Sequence, residues 1–272
     1  MVSSCWAEFR QNIRFSVSGQ WRGFDLSQKP GTPLINPTIW LKRDAVALPI
    51  GQALLTFDDG PNTTEKTTSG LLQTLAGCGV KAAFCVCGCA VDNCPGLSAE
   101  IHSYGHVLVN HTYAHRVSDL LQANALRKEI QRCDHAIGQA IGFKNYRSVF
   151  FRPPGGLLTP AVRQILAEEN LELMPVTFYA WDTWSDSQRA NRVVRRIVGA
   201  AVRNRGGVFV LHDGLLDCYP RTANHLSNLR RGHDRTWIPK AVASIINQVR
   251  QAGIDFADPA ELPKPFVLAP LQ

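Results

Sequence analysis

From Ala53 onward the chain alternates short apolar runs with longer stretches in which apolar residues recur every three or four positions. The first kind of run reads as a buried strand and the second as an amphipathic helix. Strands are predicted at Ala53-Leu54-Leu55-Thr56-Phe57, over 81–86, at Val107-Leu108-Val109, at Val149-Phe150-Phe151, at Gly207-Val208-Phe209-Val210-Leu211 and at Ile254-Asp255-Phe256, with an extended segment over 173–179. Helices are predicted over 64–77, 96–104, 118–141, 159–170, 189–204 and 238–252, with Ser118 and Thr159 as caps. Strands that alternate with helices of this length imply an α/β fold with a parallel sheet, and closure into a barrel fits the length. Residues 1–50 are punctuated by Lys29-Pro30-Gly31, Asn36-Pro37 and Leu48-Pro49, and read as an irregular N-terminal extension. Residues 51–262 read as one domain and 263–272 as a C-terminal tail.

Composition narrows the class. A hydrophobic fraction of 45% is enough for a sizeable core and excludes general disorder. No apolar run is long enough to span a membrane. The first residues lack a basic segment followed by an apolar one, so a cytoplasmic protein is expected, with a mature secreted form as the alternative. Eight cysteines in 272 residues are too sparse for a disulfide-built scaffold, and reduced thiols are expected. The net charge of +7 favours anionic partners in general. The arginines are dispersed and no basic run is interleaved with aromatics, so nucleic acid is not an expected partner.

Chemistry-bearing residues gather at predicted strand ends, where parallel barrels place their active sites. Thr56-Phe57-Asp58-Asp59-Gly60-Pro61 sets two carboxylates side by side after a strand. Neighbouring side chains on extended backbone point apart, so one can serve a metal and the other a proton; an Asp-Gly turn is the plain alternative. His111-Thr112-Tyr113-Ala114-His115 places two histidines at i and i+4. On a helical turn they would share a face and could hold a divalent metal, although such pairs are also common on surfaces. Phe151-Arg152-Pro153-Pro154-Gly155-Gly156 ends a strand in a rigid turn, and Leu211-His212-Asp213-Gly214 ends the most strand-like run.

Taken in order, these motifs resemble the NodB-type polysaccharide deacetylases, a carbohydrate esterase family that removes N- or O-acetyl groups. The resemblance covers about 51–262. It implies a distorted (β/α) barrel and one divalent metal ion held by Asp59, His111 and His115. It further implies Asp58 as general base, Arg152 as its holder, His212 as general acid and Leu211 as lining of the acetyl pocket. The donor set suits Zn²⁺ first, with Co²⁺, Mn²⁺ or Ni²⁺ as alternatives. The expected partner is an N-acetylated sugar or glycoconjugate. Two segments depart from the family pattern. Gly155 stands where the family has an aromatic residue whose backbone N–H helps hold the oxyanion, which implies a more open cleft wall. In Trp181-Asp182-Thr183-Trp184-Ser185-Asp186 the spacing of the acidic residues is altered. Asp182 is the first candidate for the carboxylate that tunes the catalytic groups and Asp186 the second, while Trp184 is a sugar-stacking or core residue.

The function expected is therefore metal-dependent N-deacetylation of an amino sugar, oligosaccharide or glycoconjugate. The alternatives are hydrolysis of a formamide or cyclic imide on the same barrel, and an inactive carbohydrate-binding relative. Cys85, Cys87 and Cys89 alternate along a predicted strand, with Cys94 beyond, and read as buried small hydrophobes rather than a second metal site. His102, His106, His135, His225 and His233 read as structural or solvated. Arg221, Arg230, Arg231 and Arg235, in the loop 217–235, are candidates for holding an anionic group of the substrate.

Overall fold

A computed structural model describes residues 48–62, 66–213 and 235–262. Almost all of the expected N-terminal extension, the C-terminal tail and nearly all of the 217–235 loop lie outside these described residues. The elements run β1 (Gln52–Gly60), α1 (Thr67–Cys78), β2 (Ala83–Val86), α2 (Gly88–Asn93), α3 (Pro95–Ser103), β3 (Val107–Asn110), α4 (Ala123–Ile141), β4 (Phe150–Phe151), α5 (Pro160–Glu168), β5 (Glu172–Leu173), β6 (Phe178–Tyr179), α6 (Ala190–Asn204), β7 (Gly207–His212), α7 (Ile238–Gln251) and β8 (Asp255–Phe256). Every ladder is parallel. The strand order is β5-β4-β3-β2-β1-β7-β6, and β8 pairs with the start of β1. The result is the parallel α/β sheet that the alternating pattern predicts, curled into the distorted (β/α) barrel that the family resemblance implies. Among the described residues no helix is long and apolar enough to cross a membrane.

The two-residue period of the strands sorts side chains between two layers. Ala53, Leu55 and Phe57 of β1, with Phe84 and Val86 of β2 and Phe209 and Leu211 of β7, join the large cluster beneath the helices. Leu54, Ala83, Cys85, Val109, Phe150, Met174 and Val208 form a second cluster to which no helix contributes, the floor of the barrel. Thr56 and Asp58 continue the inward row above Leu54 and carry it from apolar to charged.

Local chemistry explains the element ends. The Thr159 side chain accepts the Val162 N–H and Pro160 occupies the first turn, which starts α5. Four expectations are corrected. The helix expected from Ser118 begins instead as a short 3₁₀ turn, Val117–Leu121, and restarts at Ala123 behind an extended Gln122. The extended segment over 173–179 splits into β5 and β6 around Pro175, which has no N–H to give a ladder. β2 stops at Val86, so Cys87 precedes α2 and Cys89 lies within it rather than on a strand face. Cys78, Cys85, Cys87, Cys94 and Cys133 are free, as expected, but Cys89 is disulfide-bonded.

Gly88 shows how closely this layer packs against the histidine loop. A Cβ there would lie 2.5 Å from Tyr113 Cδ2 and 2.9 Å from Cys133 Cα. Gly88→Ala is therefore expected to lower stability by about 1–3 kcal/mol through overpacking. The check is urea denaturation, in which the midpoint should fall with the slope unchanged; a midpoint equal to the parent's would refute it.

Candidate active site

The register of β1 against β2 shifts between Asp58 and Gly60, and Asp59 takes a left-handed φ of 73°. A regular strand would send Asp59 into the helix layer. The bulge re-aims it, so both carboxylates serve the same cavity. Asp58 meets Arg152, which follows β4: Nη1 donates to Oδ1 at 2.8 Å and Oδ2 at 3.1 Å. The same Nη1 reaches Thr56 Oγ1 at 3.0 Å, and Nη2 donates to the Pro175 carbonyl at 3.0 Å. Arg152 is only 1% exposed.

Asp59 faces the two histidines, its Oδ1 lying 3.4 Å from His111 Nε2 and 3.2 Å from His115 Nε2. The segment joining them is not the helical turn expected. It is a loop in which Thr112 and His115 adopt left-handed φ values of 67° and 52°. Hydrogen bonds within the loop hold it: Thr112 N–H donates to Asn110 Oδ1 at 3.0 Å and His115 N–H to Thr112 Oγ1 at 3.0 Å. The curl still brings the imidazole rings to 4.9 Å. His111 Nδ1 lies 2.6 Å from the Arg152 carbonyl, an acceptor, so Nδ1 carries the proton and Nε2 keeps its lone pair. Burial, chiefly, pushes His115 down to about 4, which leaves it neutral. Burial works to raise the Asp59 pKa, but the three histidines around it outweigh burial and hold the carboxyl well below its ordinary range.

These donors fit a divalent cation. Asp59 Oδ1 is buried without a hydrogen-bond partner, and it and one ring nitrogen of each histidine lie within 4.8 Å of one another. Two imidazoles and a carboxylate are the donor set that borderline metals take.

Across the β1–β7 ladder Asp58 and His212 are register partners, so the expected base and acid share one row of the sheet. Asp182, in the turn Asp182–Trp184, accepts the His212 backbone N–H at 2.8 Å through Oδ2, and its Oδ1 lies 3.0 Å from His212 Nδ1. Burial opposes the imidazolium, yet the charge and hydrogen bond of Asp182, helped by Asp59 and Asp58, push His212 up to about 9. Burial likewise works to raise Asp182, but His212 and Arg235 hold its carboxyl below the ordinary value.

Arg235 corrects an expectation. It is 1% exposed and turned inward, away from any substrate anion. Nη1 donates to the Asp182 carbonyl at 2.8 Å, while Nη2 reaches Asp182 Oδ2 and, at 2.9 Å, the His212 carbonyl. Arg221, Arg230 and Arg231, like His225 and His233, lie outside the described residues. Asp186, the second candidate for tuning, instead caps the next turn by accepting the Arg189 N–H at 3.0 Å.

Leu211 does not line the cavity. It is fully buried in the cluster beneath the helices, because neighbouring residues on β7 face opposite ways; Val210 shares the His212 side. Gly155 is exposed with φ 58°, and a Cβ there would meet only Val117 Cγ2, at 3.9 Å, so the wall at this point is open. Trp184 is 63% exposed beside Asp182, which excludes the core reading. Asp213 is fully buried behind Gly60, where Thr68 Oγ1 lies 2.7 and 2.8 Å from its two oxygens, and burial pushes it up to about 7. The thiols of Cys85, Cys87 and Cys133 are raised well above their ordinary value by burial, in keeping with small buried hydrophobes.

The family model described as polysaccharide deacetylase matches residues 46–174. The chain is 30% identical over 206 residues to a chitooligosaccharide deacetylase of a Bradyrhizobium species, covering 74% of this chain and 85% of the relative. It is 29% identical over 213 residues to a peptidoglycan-N-acetylglucosamine deacetylase of Bacillus cereus, covering 76% of this chain and 86% of the relative. Of two further curated relatives it spans 50% and 32%. Its fold is similar to the crystal structure of the Bc1960 peptidoglycan N-acetylglucosamine deacetylase, with a TM-score of 0.63 at 24% identity over 79% of this chain and 89% of that one.

Arg152→Ala would leave Asp58 charged, buried and without its cation. A loss of about 3–5 kcal/mol is expected from breaking such a pair, read from urea denaturation at neutral pH. Arg152→Lys should lose less but not nothing, since one ammonium cannot span Thr56, Asp58 and Pro175. Parent-like stability of the alanine variant would contradict the assigned contacts.

Proposed function

The chain belongs to the polysaccharide deacetylase family, and from that membership we propose that it is a metal-dependent hydrolase removing N-acetyl groups from an amino sugar, oligosaccharide or glycoconjugate. The observation that carries this reading is the convergence of an unpartnered buried carboxylate oxygen and the ring nitrogens of two histidines within 4.8 Å. They stand beside a carboxylate held by a buried arginine and an imidazole held protonated by a buried aspartate.

In this reading Asp59, His111 and His115 hold the cation, which supplies Lewis-acid polarisation of the acetyl carbonyl and a more acidic water. Asp58 takes the proton of the attacking water. Arg152 fixes the direction of that carboxylate through its hydrogen bonds. His212 gives its proton to the departing amine nitrogen, and Asp182 keeps the ring charged and correctly turned until then. The Gly155 backbone N–H is available to the developing oxyanion. Trp184 offers an exposed ring on which a sugar face can stack. The similarity to relatives named as peptidoglycan and chitooligosaccharide deacetylases supports an N-acetylated glycan as substrate.

The direct test is acetate release from N-acetylglucosamine oligomers. Release should vanish with a chelator and return with added Zn²⁺ or Co²⁺. No acetate from metal-loaded protein across a panel of N-acetylated glycans would sink the substrate assignment, and chelator-insensitive release would sink the metal dependence.

The pH profile tests the acid. His212 acts only while protonated and is held at about 9, so kcat should fall as pH rises through that region. A cation bound at Asp59 moves this limb lower. Asp182→Asn removes the main charge that raises His212, and its alkaline limb should lie about one to three pH units below the parent's. An unmoved limb would dissociate it from His212.

A further inference from the structure

We propose that Glu129 on α4 is a positioning residue for the metal site, holding the backbone between the two histidine ligands in the conformation that aims both at Asp59. The inference rests on the metal-site reading above and assigns a role to a residue outside every motif that reading uses.

The loop from His111 to His115 is curled by two left-handed residues, and Thr112, being β-branched, disfavours that region strongly. Such a loop stays curled only if its surroundings hold it. Bonds inside the loop account for Thr112 and His115 N–H. From outside, α2 holds the first half of the loop, Gly88 N–H donating to the Thr112 carbonyl at 3.1 Å and Cys89 N–H to the Tyr113 carbonyl at 3.0 Å. The second half, towards His115, is held by Glu129, whose side chain is 4% exposed. Its Oε2 accepts the Ala114 N–H at 2.7 Å, between the two ligands. Its Oε1 lies 3.3 Å from Arg116 Nη2 and 3.4 Å from Arg132 Nη1. The Arg132 guanidinium is in turn 3.7 Å from the centre of the Tyr113 ring. One buried carboxylate thus fastens Ala114 directly, Tyr113 through Arg132, and Arg116 just beyond His115.

Glu129 is not itself part of the ligand set. It acts as outer-shell groups do, by restricting where the ligands can point, and loss of such partners typically weakens metal binding about 10–100-fold. Without it the Ala114 N–H loses its acceptor, and the His115 end of the loop, unlike Thr112 and Tyr113 with their bonds to α2, loses its outside hold. His115 Nε2 is then less restricted to its place 3.2 Å from Asp59 Oδ1.

The test is Zn²⁺ affinity of the full chain, measured by competition with a chromophoric chelator, together with the thermal midpoint of the metal-free protein and the visible spectrum of the Co²⁺ form. Glu129→Ala should weaken Zn²⁺ binding about 10–100-fold and alter the Co²⁺ bands. Glu129→Asp withdraws the carboxylate from Ala114 while keeping its charge, and should also weaken binding. Glu129→Gln keeps an acceptor for Ala114 and should recover most of the affinity. If the alanine variant fails to fold, the aspartate variant decides. A lower metal-free midpoint with Zn²⁺ affinity within twofold of the parent would overturn the inference, leaving Glu129 merely structural. A parent chain that binds no Zn²⁺ would instead overturn the metal-site reading on which it rests.

Discussion

The buried guanidinium of Arg152 is the constraint around which the site is arranged. A charge taken so far from water is strongly unfavourable unless every direction in which it donates meets a well-placed acceptor. Thr56, Asp58 and the Pro175 carbonyl meet that need for the terminal nitrogens, and they come from β1 and from the link between β5 and β6. The residue's main chain extends the same anchoring, since its N–H donates to the Asn110 carbonyl at 2.9 Å and its own carbonyl receives His111 Nδ1. Asp58, His111 and the barrel wall therefore share one reference point. Each is fixed relative to the others because each is fixed to Arg152.

A second arginine–carboxylate pair stands on the other side of β1. Asp182 sits between Arg235 and His212, with Oδ1 at the His212 ring and Oδ2 shared by the His212 N–H and Arg235 Nη2. The two pairs serve different groups. Arg152 binds the Asp58 carboxylate directly. Asp182 favours the protonated form of the His212 imidazole. A barrel interior whose own floor is apolar lets these fixed charges act with little screening.

Much of this arrangement was legible in the chain. Asp58, Asp59, His111, Arg152 and His212 each lie on or directly after an apolar run, and position at the ends of parallel strands places them on one rim, although the bulge that turns Asp59 to the side of Asp58 was not legible. The loop of His111 and His115 was not legible as a curl, because an i, i+4 pair reads as a helical turn and only tertiary contacts hold Thr112 and His115 left-handed. Leu211 was misassigned for a simpler reason: it is one residue from His212, and one residue on a strand is the opposite face. Arg235 carried no distinguishing sign among the arginines near it, since burial of a guanidinium leaves no mark in local sequence. Glu129 did leave one. It falls three residues after Leu126 and one before Ile130, on the apolar stripe of α4, where a carboxylate needs a partner.

The ladder registers carry a consequence for how such a chain can diverge. Gly60, Val86, Asn110 and Phe151 are linked strand to strand, and Asp58 is linked to His212 on the row before, so the residues of the site follow one narrow contour of adjacent rows across the sheet. Connections beyond that contour are free to lengthen, shorten or change composition without disturbing it. The strands are not. Deleting one residue ahead of Asp58 within β1 would bring Asp59 to its place and turn Asp58 into the helix layer, exchanging proton acceptor and ligand at a stroke. Descendants of this fold are thus expected to record their history as insertions and deletions in loops, with strand lengths inherited intact.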